Sequence, residues 1–165
     1  QTLTIFLDPY FRSIEYLVSN YGANEVFFIG LSGGGWASDL IALDSRVTKN
    51  FNVAGSHPRF IRELHQPSQG DYEQGWVNTS PKAFYRDVCS YLDLYVIGAI
   101  NGEKHQILNR TDNCCFDGLY HQTYINEIDE ISSRLGGEFR FYNYVNPIHE
   151  YTQEITDYIF FEIEN

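Results

Sequence analysis

Gly30-Leu31-Ser32-Gly33-Gly34 sets a serine among glycines in a G-x-S-x-G pattern, after the apolar run Glu25 to Ile29 and before a helical stretch from about Trp36 to Asp44. A serine at a sharp strand-to-helix turn presents its hydroxyl clear of both elements, provided its neighbours lack side chains that would collide with them. Gly30, Gly33, Gly34 and Gly35 meet that demand. The chemistry such a turn suits is nucleophilic attack by Ser32, with the Gly33 N–H at the helix start aimed at the developing oxyanion. A phosphate loop would need a following Lys-Ser/Thr and a dinucleotide site a G-x-G-x-x-G spacing, and neither fits here.

A serine hydroxyl attacks only when a base removes its proton, and the base needs an acid to orient it. Asp112 follows the third predicted strand and His149 the fourth, which gives the chain order Ser, Asp, His. Separations of 80 and 37 residues leave room for a helix-and-strand unit between each pair. His57, which also follows a strand, is the rival base, and Asp117 the rival acid. His65, His105 and His121 fall in a loop, a strand start and a helix, where structural roles are expected, and Glu150 lies too close to His149 in sequence to be favoured.

The elements that must position these residues read as an α/β pattern. Asp8-Pro9 predicts a helix start, with Phe11, Ile14, Val18 and Tyr21 on one face and Gly22 as the stop, behind a short stretch Thr2 to Leu7 suited to a strand. Strands are predicted at Glu25 to Ile29, Lys49 to Gly55, His105 to Arg110 and Phe139 to Val145. A single helix is expected from Pro81 to Asn101-Gly102, since Phe84, Val88, Leu92, Tyr95, Val96 and Ala99 keep a helical face over five turns, with a strand at Leu94 to Ile100 as the alternative. Another runs from Tyr120 to Leu135, and a last one begins at His149 and carries Ile155, Ile159 and Ile163. Four strands alternating with helices imply a parallel sheet with helices on both faces, whose sites lie beyond the carboxyl ends of the strands. Residues 57–80 form a Pro-, Gly- and Gln-rich segment long enough for a lid, in which Phe60, Tyr72 and Trp76 could line an acyl or aromatic pocket.

With 165 residues, 43% of them hydrophobic, the whole chain 1–165 reads as one packed domain. A net charge of −11 repels phosphate backbones, which sets nucleic acid and anionic membrane aside as partners. The longest apolar runs, Leu94 to Ile100 and Val26 to Ile29, are far short of the roughly 20 residues a membrane span needs. Cys89, Cys114 and Cys115 lack the spacing of a zinc site or a disulfide framework; buried thiols are expected, with one bridge from Cys89 to the pair as the alternative. Two sequons, at Asn78 and Asn109, make Asn78 a candidate glycosylation site in a secreted chain. Together with the absence of Met, which points to a removed N-terminal portion, they lean toward an extracellular location.

These residues resemble the α/β-hydrolase superfamily over nearly the whole chain, from the elbow Gly30-Leu31-Ser32-Gly33-Gly34-Gly35-Trp36 through Gln106-Ile107-Leu108-Asn109-Arg110-Thr111-Asp112 to His149. The sequence is similar in particular to bacterial-type hydrolases with a GLSGGGW elbow and an ILN-x-x-D-x-CCF segment, here Ile107 to Phe116. The resemblance implies a serine esterase that works through a Ser-His-Asp triad and an acyl-enzyme, with no metal and no organic cofactor. It departs at the front, where superfamily members carry several strands before the elbow. The missing N-terminal portion would hold the second oxyanion donor and the strand beside Glu25 to Ile29. Because an unpaired apolar strand is an aggregation hazard, a second chain or another copy is expected to complete the sheet there. The competing expectation is a catalytically inactive hydrolase-like scaffold serving as a structural or binding protein, to which the 13 tyrosines would suit protein or glycan contacts.

Overall fold

A computed structural model describes residues 2–64 and 80–165. The elements run α1 (Thr2–Tyr21), β1 (Val26–Leu31), α2 (Gly33–Ile41), β2 (Val47–Val53), α3 (Arg59–Leu64), α4 (Ser80–Asp87), α5 (Tyr91–Asn101), β3 (Glu103–Asn109), α6 (Ile125–Arg134), β4 (Glu138–Tyr144) and α7 (Gln153–Glu164). The four strands pair in chain order as one parallel sheet. Helices cover both faces. Val26, Trp36, Leu40, Leu94, Ile128 and Phe139 belong to the core under α1, α2, α5 and α6, while Phe51, Val53, Ile107 and Tyr144 meet Ile155 and Ile159 of α7 on the other side. The expected parallel α/β architecture is therefore present.

The boundaries differ in instructive places. Thr2 to Leu7 is not a strand, and Asp8-Pro9 does not start the first helix; α1 begins at Thr2 and runs through Pro9. Leu3 and Leu7 extend the stripe of Phe11, Ile14 and Val18 onto the core. Pro9, which has no N–H to give the helix, sits on its exposed side, where water can replace the lost bond. The helix expected from Pro81 to Asn101 is two helices. Ser90 begins the second with a reciprocal cap, its Oγ accepting from the Asp93 N–H at 3.3 Å while Asp93 Oδ2 accepts from the Ser90 N–H at 2.8 Å. The last helix starts at Gln153, capped by Thr152, not at His149, which leaves His149 in the preceding loop. A 3-10 turn at His121–Thr123 occupies the front of the helix expected from Tyr120. Of the irregular 57–80 segment, α3 and the first residue of α4 are described, with Phe60 exposed; Tyr72, Trp76, Asn78 and His65 lie outside the described residues.

The alternative pairing of Cys89 with the later cysteines does not form, and the later two are not buried thiols. Cys114 and Cys115 are joined to each other, while Cys89 is free and half-buried, its thiol held up by burial and by Asp93. β1 is one edge of the sheet, with Ile29 exposed on the α7 side.

Polar side chains fill part of the space between sheet and helices. Lys104 and Asp39 are fully buried, with Nζ 2.6 Å from Asp39 Oδ1 and 2.5 Å from Asn50 Oδ1. Asn52 donates to Asp39 Oδ1 and to Ser56 Oγ, each at 2.8 Å, and Tyr95, Gln106 and Tyr124 continue the network.

On the α7 face, buried His105 stacks on Phe51 and touches the Tyr158 hydroxyl and the Glu103 carboxylate. Burial first, then the cations Arg140, Lys49 and Lys104, lower its pKa to about 3. An unfolded chain protonates this imidazole near 6.5, so between those values the unfolded state binds the extra proton. We expect its contribution to stability to be complete above pH 6.5 and lost as the pH falls toward 3, by up to about 1.4 kcal/mol per pH unit. Urea unfolding between pH 7 and 5 checks this, with His105→Phe giving a flatter dependence.

Candidate active site

Ser32 stands between β1 and α2 with φ 57° and ψ −118°, a left-handed backbone rare outside glycine. Its N–H donates to the Val53 carbonyl at 2.9 Å, and its side chain does not cap its own helix, so the hydroxyl is not spent on the backbone. The close approach falls on Gly30, Gly35 and Gly55. A Cβ on Gly30 would lie 2.1 Å from the Gly34 oxygen, one on Gly35 2.7 Å from the Val53 oxygen, and one on Gly55 2.2 Å from the Gly35 carbonyl carbon. Gly33 and Gly34, counted above among the glycines the turn demands, have open space around them. Gly55, the end of the second predicted strand, lies two residues past β2 and lets α2 seat against the β2 exit.

Gly30→Ala is therefore expected to cost several kcal/mol, because a backbone carbonyl cannot yield as a flexible side chain does. Gly34→Ala, inside α2, should be neutral or stabilising by about 0.5–1 kcal/mol. Paired urea titrations separate the two.

The candidate acid and base, Asp112 and His149, meet across the exits of β3 and β4. Asp112 Oδ2 lies 2.7 Å from His149 Nδ1, with the carboxylate side chain fully buried and the imidazole 16% exposed. The other oxygen, Oδ1, accepts from the backbone N–H groups of Cys114 at 2.7 Å and Cys115 at 3.2 Å, which fixes the carboxylate in plane. The carboxylate assigns the proton to Nδ1 and leaves Nε2 as the basic nitrogen. Nε2 is buried and makes no hydrogen bond, so Ser32 Oγ is not bonded to it in this arrangement. Leu31, just before the serine, shares a small apolar cluster with Cys115 and Phe116 from the acid's loop, so elbow and acid sit on one rim of the sheet.

The rivals take other places. Asp117 Oδ1 accepts from the Leu119 N–H at 3.1 Å, and His57 is buried edge-on to Phe116. His121 stacks on Phe141 with Nδ1 against the Gly118 carbonyl, His105 sits in the α7-side core, and Glu150 contacts the Asn146 amide. The Gly33 N–H lies at the exposed start of α2, where the helix's positive end faces outward. Among the described residues two side-chain groups are close enough to share a metal ion, Asp112 with Cys114 and His149, and Glu103 with His105 and Glu162. In the first the Cys114 sulfur is bonded to Cys115. In the second Arg140 pairs with both carboxylates and Lys49 with Glu103.

No family model matches the sequence, and no curated protein does. Among solved structures the chain is similar to one from the ammonia-oxidising thaumarchaeon Nitrososphaera gargenis, from work on the crystal structure and activity profiles of its carboxylesterases. That likeness has a TM-score of 0.48 and 14% identity, and it covers 96% of this chain and 71% of the other.

Proposed function

We propose that the chain is a serine hydrolase that cleaves an ester or similar acyl bond, with Ser32 as nucleophile, His149 as proton shuttle and Asp112 as its orienting acid. The reading rests on the Asp112–His149 contact, which holds the proton on Nδ1 and leaves a buried Nε2 lone pair unspent on the rim where the Ser32 turn emerges. Ser32 Oγ attacks the acyl carbon as its proton passes to Nε2, and the Gly33 N–H with the start of α2 receives the negative oxygen. The imidazolium then protonates the departing alkoxide, which leaves as alcohol and an acyl-Ser32. Water, deprotonated by the same nitrogen, releases the acid and restores the serine. Neither a metal nor an organic cofactor enters this scheme.

A second chain or another copy along β1, the terminal strand among the described residues, belongs to the same proposal, since it would cover Ile29 and bring the second oxyanion donor. The inactive-scaffold reading has one observation in its favour, the absence of a Ser32–His149 bond. Labelling with a fluorophosphonate, on the chain alone and with any copurifying partner, decides between them. Covalent label on Ser32 is the expected result; no label in either preparation replaces the hydrolase with the scaffold.

A further inference from the structure

Asn109 is the last residue of β3 and is fully buried. Its side-chain oxygen accepts from the backbone N–H groups of Thr111 at 3.1 Å and Asn146 at 2.9 Å. Its side-chain nitrogen donates to the carbonyls of Asn146 at 2.5 Å and Ile148 at 3.3 Å. Two N–H groups on one end and two carbonyls on the other settle the orientation of the amide, and all of its capacity is used. The Asn109 carbonyl also accepts from the Asp112 N–H at 3.2 Å and the Gly118 N–H at 3.0 Å. One residue thus grips both loops: its backbone holds Asp112, and its side chain holds residues 146 and 148, next to His149.

We propose that Asn109 is a positioning residue for the acid–base pair, setting the spacing between the β3 loop that carries Asp112 and the β4 loop that carries His149. This deepens the hydrolase reading and rests on it for its meaning in catalysis. Among side chains of this size only an amide does the work, because the bridge needs two donors and an acceptor on one planar group. Aspartate keeps the acceptors toward Thr111 and Asn146 but turns an oxygen against two carbonyls, so it opens the β4 side alone. No base or nucleophile is removed in either case.

The test uses the whole chain and two readouts. The first is the proton on His149 Nδ1, which a short contact to a carboxylate moves far downfield in the proton NMR spectrum; it requires no turnover. The second is the rate of fluorophosphonate labelling, read well below the unfolding midpoint. Asn109→Ala and Asn109→Asp, both folded, should lose the downfield resonance and label about 100-fold more slowly, the size expected when catalytic groups drift by about an ångström. A structural role alone would lower the unfolding midpoint and leave both readouts in place. The proposal is overturned by retention of the resonance in a folded variant, by a labelling rate within about twofold of native where the native chain labels, by absence of the resonance from the native chain, or by failure of both variants to fold. Should the native chain show the resonance and take no label, the hydrolase reading fails and the resonance alone still decides the role of Asn109.

Discussion

Ser32→Ala is expected to abolish fluorophosphonate labelling completely and to lower kcat/KM on an activated ester by about 10⁴-fold or more, with the fold unchanged. The removed hydroxyl caps no helix, so its loss costs the turn nothing, while the scheme loses the one atom that forms the acyl bond. His149→Ala should fall by a comparable factor, and combining it with Ser32→Ala should add little, because groups that act in one step do not lose rate additively. Asp112→Asn is the sharper probe. The amide oxygen can keep the Cys114 and Cys115 N–H groups, but its nitrogen then faces His149 Nδ1 and forces the proton onto Nε2. A base protonated at that nitrogen cannot accept from serine, and a loss of about 10⁴-fold is expected. Steady-state kinetics and mass spectrometry of the labelled chain read all of these. A Ser32→Ala chain that still labels would move the nucleophile elsewhere.

The second large effect lies away from the chemistry. Lys104→Ala and Asp39→Ala should each destabilise the chain by about 3–5 kcal/mol, since either leaves one charge of a fully buried pair without its counter-ion. Each loss also strands a buried amide, Asn52 at Asp39 and Asn50 at Lys104. Burial disfavours the charged form of Lys104 and Asp39 favours it, so the pair holds only while both members are present. Asp39→Leu combined with Lys104→Met should recover most of the loss, the result expected when hydrophobes of similar volume replace a buried ion pair. Urea midpoints for the two single variants and the double variant form the measurement. A double variant as unstable as the worse single one would mean that the neighbouring amides, and not the charge pair, set the cost.

The strands were legible because apolar or aromatic residues in each lie between turn residues, and the glycine-flanked serine stood out at one of those turns. β3 begins at Glu103, two residues before the predicted start at His105. Lys104 is inside, and nothing local to it in the chain announces the Asp39 partner 65 positions away. Pro9 misled in the opposite direction. A proline and a capping aspartate are strong local signals, but packing of Leu3 and Leu7 outweighs them once α1 lies on the core. Ser90 and Asp93 carried a readable cap that the continuous apolar face masked. Asp112 and His149 were singled out from their positions after strands, and the structure brings the two side chains together, whereas the bridge between their loops depends on contacts 37 and 39 residues apart that no spacing rule encodes.

Asn109 is also the acceptor of the Asn109-Arg110-Thr111 sequon, and in the folded chain its amide nitrogen is committed to two carbonyls inside the protein. An oligosaccharide can be attached to that nitrogen only before β3 and β4 come together. In a eukaryotic secretory host, glycosyl transfer and folding would therefore run as a race for one atom. Chains that fold first leave the sequon bare, and those that lose the race carry a bulky sugar where the two loops must close. Glycan occupancy at Asn109 would then act as a clock, recording in each molecule whether the sheet had assembled when the transferase passed.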